Sequence, residues 1–130
     1  MANVTDQEKT AVIVARLFGG KWPEHVYAMS DGARAVELHT CHRCMRRAIQ
    51  ETTDACQAWN PFTRIEDAFT CVEKLRPFEL YLDLELRSFG WLCEVDVTMA
   101  GCVRNNRDDD HASDTPARAI TEAIYLVVKE

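Results

Sequence analysis

Between Phe78 and Met99 apolar and polar side chains alternate with period two. Phe78, Leu80, Leu82, Leu84 and Leu86 interleave with Glu79, Tyr81, Asp83, Glu85 and Arg87. After Ser88-Phe89-Gly90, Trp91, Cys93, Val95, Val97 and Met99 interleave with Leu92, Glu94, Asp96 and Thr98. Two such runs across a short glycine-containing break predict a β-hairpin with one buried face. Both apolar sets must face the core, which leaves two near registers. One sets Asp83 opposite Glu94; the other sets Asp83 opposite Asp96 and Glu85 opposite Glu94.

Helical patterns flank the hairpin. Thr5 and Glu8 are spaced as a capping box, and Ala11, Val14, Ala15 and Phe18 mark an apolar stripe that Gly19-Gly20 ends. After Asn60-Pro61, Thr63 and Glu66 form a second box. Ile65, Ala68, Phe69, Val72 and Leu75 share one face, and Pro77 closes the helix. Thr115 caps a last helix with Pro116 in its first turn, and Ala117, Ile120, Ala123, Ile124, Val127 and Val128 form its stripe. Between the first two helices the pattern weakens. Trp22-Pro23 begins an extended piece with a turn signal at Ser30-Asp31-Gly32, and a helix is expected over roughly Arg43 to Cys56. Gly101-Cys102-Val103 either extends the second strand or bends away, and Arg104 to Asp114 reads as a polar loop.

This order predicts an α+β fold: an antiparallel β-hairpin or small sheet packed by helices, in the order α-(irregular arm)-α-β-β-α. It is read as a single domain, 1–130, with an inserted arm at 37–56. A bare hairpin needs such helical cover to be stable. Trp91, Phe69, Leu82, Leu84, Val95, Ile120 and Ile124 are expected in the core.

Composition narrows the class. The 130 residues are 47% hydrophobic and 28% charged, as in a globular protein able to bury a modest core. No apolar run has the length of a membrane span, and the N-terminal residues lack the pattern of a secretory signal. The net charge of −6 is uneven: residues 1–60 carry seven basic and seven acidic side chains, residues 61–130 eight and fourteen. An acidic surface repels nucleic acid and suits a basic protein surface.

From Trp59 onward the chain resembles the phage ABA sandwich domain, a family of small proteins encoded by bacteriophages and prophages. The resemblance rests on Trp59-Asn60-Pro61, on Ile65-Glu66-Asp67-Ala68-Phe69 leading to Val72-Glu73-Lys74-Leu75, on the two strands, and on Thr115 to Ile124. Val14 to Trp22 resembles the family's first helix and its glycine-tryptophan end. The resemblance implies a fold and a phage source, hence a host bacterial cytoplasm, and no particular activity. The chain departs from the family pattern at Glu37 to Cys56, a common position for specialised function.

That arm holds the candidate chemistry. Cys41-His42-Arg43-Cys44 has the spacing of a zinc knuckle, which Cys56, His39 or His42 could complete. The plainer reading is unligated thiols, the commoner fate of a lone CxxC in a cysteine-rich chain. Arg43, Arg46 and Arg47, with Arg34, form a basic patch suited to a phosphate or an acidic partner, or simply a solvated face. On the hairpin's polar face Glu79, Asp83, Glu85, Glu94 and Asp96 stand against Arg87. Like charges directly opposite one another destabilise a sheet, so their presence suggests an external use, with an ordinary solvated face as the alternative. Asp108-Asp109-Asp110 lacks the glycine and distal glutamate of a calcium loop. No nucleophile elbow, phosphate-cradling glycine loop or HExxH is present, so no enzymatic activity is expected.

The resulting expectation is a phage accessory protein that binds and inhibits a bacterial host protein, as an anti-CRISPR-like inhibitor of a nucleic-acid-binding defence complex. Asp83, Glu85, Glu94, Asp96, Arg43, Arg46 and Arg47 would form the partner-binding set, with a homodimer left open. The alternatives are a sponge that sequesters a nucleotide immune signal, using the arginines and Trp22, and a structural or regulatory phage protein.

Overall fold

The computed structural model describes residues 4–29, 39–48, 52–107 and 111–129. In chain order the elements are α1 (Asp6–Leu17), β1 (Tyr27–Met29), β2 (His39–Cys41), β3 (Arg47–Ala48), α2 (Ile65–Leu75), β4 (Glu79–Arg87), β5 (Gly90–Met99), β6 (Cys102–Asn105) and α3 (Pro116–Val128). The strands form two antiparallel sheets, β1-β2-β3 and β4-β5-β6. The α+β class therefore holds. The chain divides into two compact units: Met1–Gly20 with Asn60–Glu130, and Lys21–Trp59.

In the first unit the alternating runs form the predicted hairpin, closed by Ser88-Phe89 between Arg87 and Gly90. Of the two registers, the chain takes the one with Asp83 opposite Glu94. A two-residue loop fixes that choice, because the closing pair sets every pair behind it. Gly90 has φ 133°, and a Cβ there would lie 2.9 Å from the Ser113 carbonyl oxygen. Only glycine lets Ser113 bridge to Trp91 through two 2.8 Å backbone bonds. Gly101 turns the chain back, and Cys102–Asn105 pair with β5 as a third strand.

The α3 helix lies on this sheet, chiefly over β5, and against α1 and α2. Its predicted stripe is buried in full, together with Ala119 and Thr121. Thr115 accepts the N–H of Arg118 and Pro116 occupies the first turn, as expected. Cys93, Val95 and Val97 of β5 are buried. Leu82 and Leu84 are only half-buried, because β4 is an edge strand outside the main footprint of α3, and Trp91, at the hairpin end of β5, is half-buried as well.

Several helical expectations need correction. The capping box at Thr5 and Glu8 forms, but the buried face of α1 is Thr10, Ile13 and Val14, one step from the predicted stripe, so that Ala11 and Ala15 are exposed. The larger Ile13 side chain sets the rotation. No box forms at Thr63. The N–H groups of Thr63 and Arg64 both reach the Asn60 carbonyl, and this turn makes Arg64 the cap residue. The Asp67 carboxylate points inward and accepts the Asn60 N–H at 2.9 Å. Its inward position rotates Phe69 out, and that residue is 48% exposed rather than part of the core.

The Lys21–Trp59 unit contains no helix at Arg43 to Cys56 among the described residues. Instead Cys41 N–H donates to the Arg46 carbonyl and closes a tight turn between β2 and β3. The β1 strand pairs with β2, and an isolated bridge joins Glu24 to Ala55. The turn signal at Ser30-Asp31-Gly32 lies outside the described residues, as do Arg34 and the 108–110 aspartates.

Candidate metal centre

The turn between β2 and β3 carries Cys41 and Cys44. Cys41 N–H donates to Arg46 O at 2.9 Å and Met45 N–H to Cys41 O at 3.0 Å. Met45 adopts φ 63°, a left-handed conformation that turns the chain sharply behind Cys44. The peptide N–H groups of Cys44 and Arg43 point back at the Cys41 sulfur.

Two further chain segments converge on this turn. His42 N–H donates to Val26 O at 2.9 Å, which aligns the residues before β1 with the turn and delivers His25. On the other side, Cys56 N–H donates to Pro23 O at 2.9 Å beside the Glu24–Ala55 bridge, and the Trp22 indole N–H donates to the Cys56 carbonyl at 3.2 Å. The ligand atoms of His25, Cys41, Cys44 and Cys56 all lie within 4.8 Å of one another. The sulfurs of Cys41 and Cys56 are 3.9 Å apart, and His25 Nδ1 is 3.3 Å from Cys44 Sγ. Cys41 and Cys56 are buried and Cys44 is at the surface.

The surroundings of Cys41 favour its thiolate form. Burial opposes ionisation of Cys41, yet the N–H groups of Cys44 and Arg43, the His25 ring and the Val26 backbone together hold its thiol down to about 5. Cys44 is shifted upward by desolvation and by the Cys41 and Cys56 sulfurs, against the pull of the Arg46 backbone. Adjacent sulfurs resist sharing negative charge unless a cation lies among them. By contrast, burial pushes Cys71 and Cys93 up to about 12, the behaviour of inert core thiols. The His25, Cys41, Cys44 and Cys56 group could hold a metal ion.

Of the residues expected to complete the CxxC, Cys56 does so. His39 and His42 are outside the cluster: the His39 ring stands edge-on to Tyr27 at 6.4 Å, and His42 is exposed. His25 carries no local signal, since it lies sixteen positions before Cys41 and joins only through strand pairing. Tyr27 stands opposite Cys41 in that pairing, which places His25, two residues before it, beside the turn.

The basic patch is largely engaged. Arg43 donates to the Glu24 carbonyl at 2.7 Å and Arg46 to Asp54 Oδ2 at 2.6 Å, while Arg47 is exposed on β3. Trp22, the aromatic candidate of the nucleotide-sponge reading, packs edge-on against Trp59 at 5.3 Å. On the other unit's sheet Asp83 faces Glu94, and Arg87 binds Glu85 at 2.8 Å. A second cation meets these acids: Arg107 binds Glu94 and Asp96, each at 2.6 Å. The sequence reading missed it because it lies beyond β6, whose pairing of Asn105 with Asp96 brings Arg107 level with Glu94. No family model, curated protein or solved structure matches the chain.

Proposed function

We propose that this chain is a non-enzymatic binding protein in which a structural zinc ion staples the Lys21–Trp59 unit. The carrying observation is the convergence of three sulfurs and one imidazole nitrogen within 4.8 Å. A Cys₃His set suits zinc, and two sulfurs on one tetrahedral zinc stand about 3.8 Å apart. The 3.9 Å between Cys41 and Cys56 matches that span. Four protein ligands leave no open position for a substrate, which favours a structural ion over a catalytic one. The unit also has little else to hold it: among its described residues the buried apolar side chains are Cys41, Cys56 and Trp59. In so small a unit metal binding supplies folding free energy.

The purified 130-residue chain should retain one zinc per molecule. Cobalt in its place should give a thiolate charge-transfer band, and Cys44→Ser should abolish both. A chain that takes up neither metal would remove the reading.

The acidic sheet face is the proposed gripping surface. Asp83 lies opposite Glu94 in β5, and because Arg107 already offsets Glu94 and Asp96, Asp83 is the exposed acid of this pairing left for a basic partner. The phage-type resemblance extends this to inhibition of a bacterial host protein by occlusion of its nucleic-acid-binding surface. Capture from host lysate with wild-type chain and with Asp83→Lys/Glu85→Lys tests it; equal recovery of the same partner would exclude the acidic face.

A further inference from the structure

We propose that Asp54 is the positioning residue of this metal centre: in the loaded site its carboxylate, 3.5 Å from Nε2, would accept a hydrogen bond from His25 Nε2–H and so present Nδ1, without a proton, to the ion. The inference rests on the zinc reading above. A neutral imidazole has one proton for two nitrogens, and the nitrogen that binds metal must be the bare one. The atom facing the sulfurs is Nδ1, 3.3 Å from Cys44 Sγ. The proton must then sit on Nε2, and Asp54 Oδ2 lies 3.5 Å from Nε2. Such a carboxylate fixes both ring orientation and tautomer.

Arg46 makes the arrangement two-sided. Its Nη1 lies 3.4 Å from the same Nε2 and 2.6 Å from Asp54 Oδ2. A guanidinium only donates, so toward the ring it favours a bare Nε2 and a proton on Nδ1, aimed at sulfur. Asp54 favours the opposite tautomer, the one that binds metal. On loading, the ring proton would have to sit on Nε2, reached by exchange with solvent, and the thiol protons would leave to solvent. Arg46 meanwhile stays paired with Asp54 and offsets its charge.

The test uses the 130-residue chain and zinc alone, with affinity read by chelator competition. Asp54→Ala should weaken zinc binding by about 10- to 100-fold. Asp54→Asn, whose amide oxygen still accepts from Nε2–H, should lose less. Nitrogen-15 NMR of the zinc-loaded wild type should show His25 protonated at Nε2, and Asp54→Ala should lose the protected Nε2–H signal. Wild type binding one zinc with Asp54→Ala equally tight would overturn the positioning role and leave the zinc reading standing. Weaker binding with the protected signal unchanged would also overturn it, by showing a merely structural effect. No zinc binding by wild type would overturn both.

Discussion

Met45 holds φ 63° one residue after the CxxC, where a side chain brings a steric penalty that glycine escapes. The residue is 66% exposed, so its side chain returns little packing. Met45→Gly should therefore stabilise the zinc-loaded chain, by about 0.5–1 kcal/mol after glycine's larger chain entropy is counted. The midpoint of thermal unfolding would report it, and a fall would show that the turn is not under strain. At this scale the sequence showed two candidate ligand thiols through their spacing, and a third beside them. It could not show His25, whose partnership depends on a strand register that no local pattern encodes.

At the scale of elements, β6 and the residue after it complete the sheet in a way that hydrophobic alternation does not announce. Asn106 is buried, accepts Val95 N–H at 2.9 Å and donates to the Cys93 carbonyl at 2.8 Å. Its side-chain amide acts as the next backbone partner of β5. Asn106→Ala would leave two buried backbone groups unpaired and should destabilise the first unit by roughly 2–4 kcal/mol, as measured by denaturant midpoint. The pairing of α1 with α3 has a pH signature. Arg118 donates to Asp6 Oδ1 at 3.1 Å, and this bond, against an opposing desolvation and aided by the charges of Arg118 and Lys9, lowers the Asp6 pKa from its usual value. A carboxylate depressed in the folded state contributes stability above its unfolded value of about 4 and loses it as pH falls through the lower folded value. Asp6 is half exposed, so the contribution is screened and below about 1 kcal/mol. Asp6→Asn should be slightly less stable than wild type at pH 6, with the gap closing as pH falls below the unfolded carboxylate value of about 4. A gap that persists in acid would assign the effect to something other than this ion pair.

For the molecule as a whole, the two units draw on different sources of stability. The first has a continuous apolar core of α3, β5 and parts of α1 and α2. The second has few buried apolar groups among its described residues, and two of them are the proposed ligands. Chelation should therefore release hydrogen-exchange protection in β1, β2 and β3 while leaving α3 and β5 protected. Equal loss in both units, or none in either, would contradict a zinc staple confined to residues 21–59. The periodic segments were readable from the chain alone, because an amphipathic helix or half-buried strand repeats its apolar positions at a spacing fixed by backbone geometry. So the hairpin, the last helix with its cap and stripe, and the α+β class were determined by sequence. Which register the hairpin took, that Phe69 turns outward while Asp67 turns in, that Arg107 meets Glu94 and Asp96, and that His25 joins three cysteines were decided only in three dimensions. Each of these depends on groups far apart along the chain, where pairing and packing, and not local periodicity, select the neighbour.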